Sequence, residues 1–128
     1  MKNKTVSACA ILLVFLCMCT NLPAKTQAPA EVPPVIDHGV KYIAPHFITQ
    51  TAPHQNGGVV QAWDIKTNKM LWEVTVYKIK YDPNLERDVQ DVFIKSMKID
   101  GDKLRVVNEK DESFLIDLKT QTVTAVKK

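Results

Sequence analysis

Three histidines are the residues whose type and spacing best suit chemistry. His38, His46 and His54 recur every eight residues, the last two each inside Ala-Pro-His. Neutral imidazoles gathered at one site hold zinc or copper, and Asp37 stands beside the first as a further oxygen donor. Against such a site, the three lie in a proline-bearing stretch rather than on a rigid hairpin or helix, and no cysteine joins them. They are expected as loop histidines with no metal assigned, and His-based metal binding is kept as an alternative. A second string, Asp82-x-Asn84-x-Glu86-x-Asp88, alternates oxygen donors as a calcium loop does. Arg87 replaces the glycine that the sharp turn needs, and Phe93 stands where the bidentate glutamate belongs. A solvated acidic loop is expected. Ser96 and Ser113 fall in strand-like sequence without a nucleophile motif, and no carboxylate pair stands out as acid and base. No catalytic residue and no cofactor is expected.

The cysteines carry different information. Cys9, Cys17 and Cys19 all sit in or beside an apolar run, Ala8 to Cys19, that follows Lys2 and Lys4. A positive start, a short apolar stretch and then small residues is the order of a secretory signal peptide. Twelve apolar residues are too few to span a bilayer, which takes about 20. Residues 1–24 are expected to be the signal, with Ala24 suiting a signal peptidase. Lipid attachment at Cys19 is the rival, with Leu16 well placed and Met18 a poor neighbour. Export to the periplasm or beyond is expected, and membrane anchoring only if Cys19 is lipidated. The rest of the chain has no cysteine, so no disulfide or thiol nucleophile is available there.

Charge excludes one class of partner. The formal net charge is +3, but two of the lysines precede the apolar run and the remaining charges are interspersed. No basic block suggests nucleic acid.

The elements that would position these residues are strands. Residues 25–38 hold Pro29, Pro33 and Pro34 and are expected to be a flexible linker. Residues 39–128 are expected to form an antiparallel β domain, an all-β meander of about six strands. Residues 39–56 are ambiguous, because Pro45 and Pro53 confine any strand to short pieces. GGVVQAWDI alternates as one strand, with Val59, Gln61, Trp63 and Ile65 on one face. MLWEVTVYKIKY reads as a second, with Met70, Trp72, Val74 and Val76 on one face. Its later part favours the opposite parity (Tyr77, Ile79, Tyr81), so a bulge or a new packing partner is expected near Val76–Tyr77. DVFIKSMKID, KLRVVNE, SFLIDL and VTAV complete the six. Connections this short leave no room for parallel crossovers.

One string repeats. Trp63-Asp64-Ile65-Lys66-Thr67 returns as Ile116-Asp117-Leu118-Lys119-Thr120, in both cases between two strands. The aspartate can accept hydrogen bonds from the turn amides, and the residue after the threonine, Asn68 in the first copy, is expected at positive φ. Asp64, Thr67, Asn68, Asp117 and Thr120 are the expected turn residues, with Gln121 at the positive-φ place of the second copy. Gly58-x-x-x-Ala62-Trp63-Asp64-x-x-Thr67-x-Lys69-x-x-Trp72 resembles the blade hairpin of quinoprotein-like β-propellers over about 15 residues. The resemblance implies two blade-like hairpins and a structural rather than catalytic role for the motif. The second copy departs from it at Gln121 and at Ala125, where the tryptophan would stand.

Together these features point to a non-catalytic extracytoplasmic β-module that works by protein–protein contact or as an envelope scaffold. Exposed sheet edges are the expected route to a protein partner or to self-association. A relative of a quinoprotein-like propeller acting in envelope protein assembly is the alternative.

Overall fold

The computed structural model describes residues 27–47 and 55–127. The expected signal segment with Cys19, and His54, lie outside the described residues. Those described are all-β without a helix: eight strands in two four-stranded antiparallel sheets, each a simple meander. The first sheet runs β1 (Val35–Asp37), β2 (Val40–Ile43), β3 (Val59–Asp64) and β4 (Met70–Thr75). The second runs β5 (Ile94–Asp100), β6 (Lys103–Asn108), β7 (Ser113–Asp117) and β8 (Val123–Val126).

The later strands fall where alternation placed them. The first two are additional, and β1 lies in the stretch read as linker. Its hairpin with β2 is closed by His38 and Gly39, at φ 46° and 77°, the two positive-φ residues of a tight type I′ turn. Val32, ahead of β1, also packs on the core.

Period-two alternation decides which face is buried. In the first sheet Tyr42, Ala62 and Trp72 are cross-strand neighbours on one face, followed by Val60 and Val74. In the second, Ile99, Leu104, Ile116 and Val123 form one row and Met97, Val106 and Phe114 the next. These two faces meet in one core, in which Val60, Ala62, Leu104, Val106 and Ile116 are fully buried. The sheets approach most closely at their first strands, β1 and β5. Larger side chains fill the space further out, where Tyr77 stacks on Phe114 at 5.3 Å between ring centroids.

Two expectations about the second strand are corrected. It ends at Thr75 rather than continuing to Tyr81. The register shift lies between Ala62 and Trp63, opposite Met70–Trp72, rather than near Val76. The shift sets Met70 opposite Trp63, so Met70 leaves the face of Trp72 and is exposed. Past Thr75, Tyr77 does change partner, to Phe114 of the other sheet.

The two repeated turns share one pattern of backbone hydrogen bonds. Asp64 N donates to Lys69 O and Asn68 N to Asp64 O, as Asp117 N does to Thr122 O and Gln121 N to Asp117 O. Ile65 N reaches back to Gly39 O as Leu118 N reaches Asp102 O. The correspondence thus takes in the first turn of each sheet, and β1–β4 match β5–β8 in strand order. The register shifts fall at different places, between Ala62 and Trp63 in the first sheet and between Ile94 and Ser96 in the second.

Candidate functional site

Each Lys-Thr turn is closed by one carboxylate oxygen. Asp64 Oδ1 accepts from Lys66 N at 2.7 Å and Thr67 N at 3.1 Å. Asp117 Oδ1 accepts from Lys119 N and Thr120 N, both at 2.9 Å. The amides of Thr120 and then Lys119 hold the Asp117 carboxyl below its ordinary value of 3.8, because they favour its charged form. Asn68 and Gln121 occupy the left-handed region at φ 53° and 58°. Each aspartate thus spends one carboxylate oxygen on the backbone of its own turn.

The histidines are placed differently from one another. His38 stands in the β1–β2 turn, its ring exposed, with Nδ1 2.7 Å from Asp37 Oδ2. That hydrogen bond and the charge of Asp37 raise its pKa. His46 is buried and lies on Phe93 at 4.2 Å between centroids. Its backbone amide donates to Glu31 Oε1, and its Nε2 has no hydrogen-bond partner among the described residues. No group of three His, Cys, Asp or Glu side chains comes together as a metal cage among those residues.

In the acidic loop Asp82 serves its own segment. Asp82 Oδ1 accepts from the backbone and side-chain nitrogens of Asn84. Gln90 closes the loop, taking Asp82 N on Oε1 and donating Nε2 to the carbonyls of Asp82, Leu85 and Glu86. Ser96 is exposed and Ser113 half-buried, each within a strand.

A polar hub absent from the sequence reading ties the long β4–β5 connection to the entry of β3. Gln55 is buried. It donates Nε2 to the carbonyls of Gly57 and Tyr77 and accepts Ile79 N on Oε1. Asn56 reaches Tyr81 Oη and Asp91. Gly57 and Gly58 are both at positive φ, and a Cβ on Gly57 would stand 2.8 Å from Phe93. The Tyr77 hydroxyl donates to Val92 O, and burial, then the charges of Glu109 and Glu112, push its pKa far up. The glycine pair after Gln55-Asn56 was the available signal.

What remains open to a partner is surface. The outward face of the first sheet carries Ile36, Lys41 and Trp63 in one row and Ile43, Gln61 and Glu73 in the next. Three of its polar side chains bond in series. Trp63 Nε1 donates to Gln61 Oε1 at 3.1 Å, and Gln61 Nε2 to Glu73 Oε2 at 2.7 Å. Ile36 is 65% exposed and Met70 44%. The outward face of the second sheet is more polar. An open hollow of about 340 Å³ there is lined by Lys103, Leu115, Asp117 and three threonines. The chain matches no family model and no curated protein.

Proposed function

We propose that the protein is an exported, non-catalytic β-module that works at the cell envelope by contact with other proteins. One observation carries this reading: the outward face of the first sheet. A half-buried tryptophan there has its indole N–H satisfied internally, and exposed Ile36 and Met70 flank it. Aromatic anchors amid apolar neighbours with a charged rim are what protein interfaces use. Among the described residues β4 and β8 are the outermost strands of their sheets, and a sheet edge is a template for pairing with another chain.

The repeated four-stranded meander favours the blade-like alternative as a description of the scaffold, and it is compatible with a role in envelope assembly. Neither reading involves a cofactor. Site-specific photocrosslinking tests the contact role. A crosslinker at Ile36 should trap protein adducts in the envelope fraction, and one at exposed Glu86 should not. A full-length chain that keeps Met1, found in the cytoplasm and free of adducts, would refute both export and contact.

A further inference from the structure

The face that each sheet turns inward is not the same face. Aligned on the shared turn aspartates, Asp64 with Asp117, Ala62 corresponds to Leu115 and Trp63 to Ile116. The β2–β3 and β6–β7 registers, with Val40 opposite Asp64 and Lys103 opposite Asp117, then match Lys41 with Leu104 and Tyr42 with Arg105. The β1 and β5 registers match Ile36 with Ile99. Tyr42 and Ala62 are core residues, yet their counterparts Arg105 and Leu115 point outward. Conversely, Leu104 and Ile116 are fully buried, while their counterparts Lys41 and Trp63 point outward.

The two sheets are therefore not related by a twofold axis through their contact. The operation that carries the first sheet onto the second carries an outer face onto an inner one. This is heterologous packing, and among the described residues it leaves two unlike faces open: on the first sheet the face that the second uses internally, and on the second the face that the first uses internally. A heterologous contact repeated between copies gives a ring if the rotation closes. The close approach of β1 and β5, with larger side chains filling the space further out, gives the pair the wedge shape that closure needs.

We propose that the partner of these faces is a second copy of this chain, docked head to tail. The outward face of the first sheet in one copy (Ile36, Lys41, Trp63) packs on the outward face of the second sheet in the next (Arg105, Leu115, Thr124). The inference rests on the contact reading above and names the occupant. Continuity with the internal interface is its ground: the new contact repeats the packing that already joins the two sheets. About two to four copies would supply the four to eight sheets at which radial arrays of such sheets close. Both faces carry charges, so the contact between copies is more polar than the internal one, as expected of subunits that also exist apart.

The test uses protein purified after expression of the full chain. Mass measurement by light scattering or native mass spectrometry over a concentration series should show a discrete species of two to four copies. Ile36→Arg disables one face and Leu115→Arg the other. Each alone should weaken self-association at least about tenfold, and an equimolar mixture should form a 1:1 dimer through the two intact faces. That rescue also shows that both variants are folded. The proposal is overturned if Leu115→Arg assembles normally while Ile36→Arg does not, because the contact would then be face to itself. It is equally overturned if the unmodified protein stays monomeric at high concentration. In that last case the Ile36 crosslinks separate the two ideas: adducts with a different protein keep the contact role and discard the ring, whereas no adducts discard both.

Discussion

Two carboxylate oxygens decide whether the repeated turns hold. Asp64→Ala strips a charged acceptor from two amides at once and should cost about 1–2 kcal/mol, read as a lower denaturant midpoint at unchanged slope. Asp117→Ala should shift the midpoint in the same direction, since its carboxylate accepts from the same two turn amides; an unmoved midpoint would show that Asp117 does not hold the second turn. Asp117 also sets an acid dependence. Its folded pKa lies below 3.8, so the stability it contributes is complete above that value. It is lost as pH falls through the lowered folded value. Asp117→Asn should therefore flatten the acid limb of a stability–pH curve below about pH 4 and leave the neutral region parallel. The turns were legible in the sequence because their chemistry is local: an aspartate, two amides and a positive-φ position within five residues. The fate of the histidines was not, because the burial of His46 depends on Phe93, far along the chain.

At the scale of elements, the connection between the two sheets hangs on side chains rather than on strand pairing. Gln55 serves the backbone of Gly57, Tyr77 and Ile79, which no ladder reaches. Gln55→Leu keeps the bulk and leaves those groups unpaired, at about 1–3 kcal/mol for each that stays buried. Ile79 should then exchange its amide hydrogen much faster, and residues 78–90 should become the first site of proteolysis. Unchanged exchange at Ile79 would show that the connection has other anchors. Gly57 tests the same junction from the backbone side. Any Cβ there meets Val92 O and Phe93, both at 2.8 Å, at a φ of 75°. Gly57→Ala should cost roughly 2–4 kcal/mol from left-handed strain and the clash together. Gly101→Ala, with nothing within 4 Å of its Cβ, should cost only about 1–2 kcal/mol of strain. Equal losses at both would mean that the close approach does not matter. Alternation revealed β3 and β5 to β8 because each turns apolar residues toward the core from one face. It missed β1, which follows Pro33 and Pro34 in the expected linker, and left β2 open, because Pro45 and Pro53 limit any strand there to a short piece. It overran β4, since Tyr77 and Ile79 keep the alternation but are bonded through side chains.

The whole molecule places its two tryptophans on opposite faces of one sheet. Trp72 is opposite Ala62 and packs on the core beside Tyr42, 5.8 Å between centroids. Trp63 points outward, its indole bonded to Gln61. Sequence alone paired the residues across a short turn but left their faces open, because the register shift beside Trp63 is set by how the turn closes. Trp72→Ala should cost about 3 kcal/mol, near the lower end for aromatic deletions because the ring is only half-buried. Trp63→Ala should cost less than half as much. Single-tryptophan proteins separate the two environments. In Trp63→Phe the remaining indole should resist iodide, and strong quenching there would place Trp72 at the surface instead. In Trp72→Phe the remaining Trp63 should be quenched in dilute solution and grow protected as concentration rises, because head-to-tail docking covers its face. Protection that appears with concentration at Trp63 alone ties the outward face to self-association. Protection that never appears while the protein is shown to assemble would place the contact between copies elsewhere on the surface.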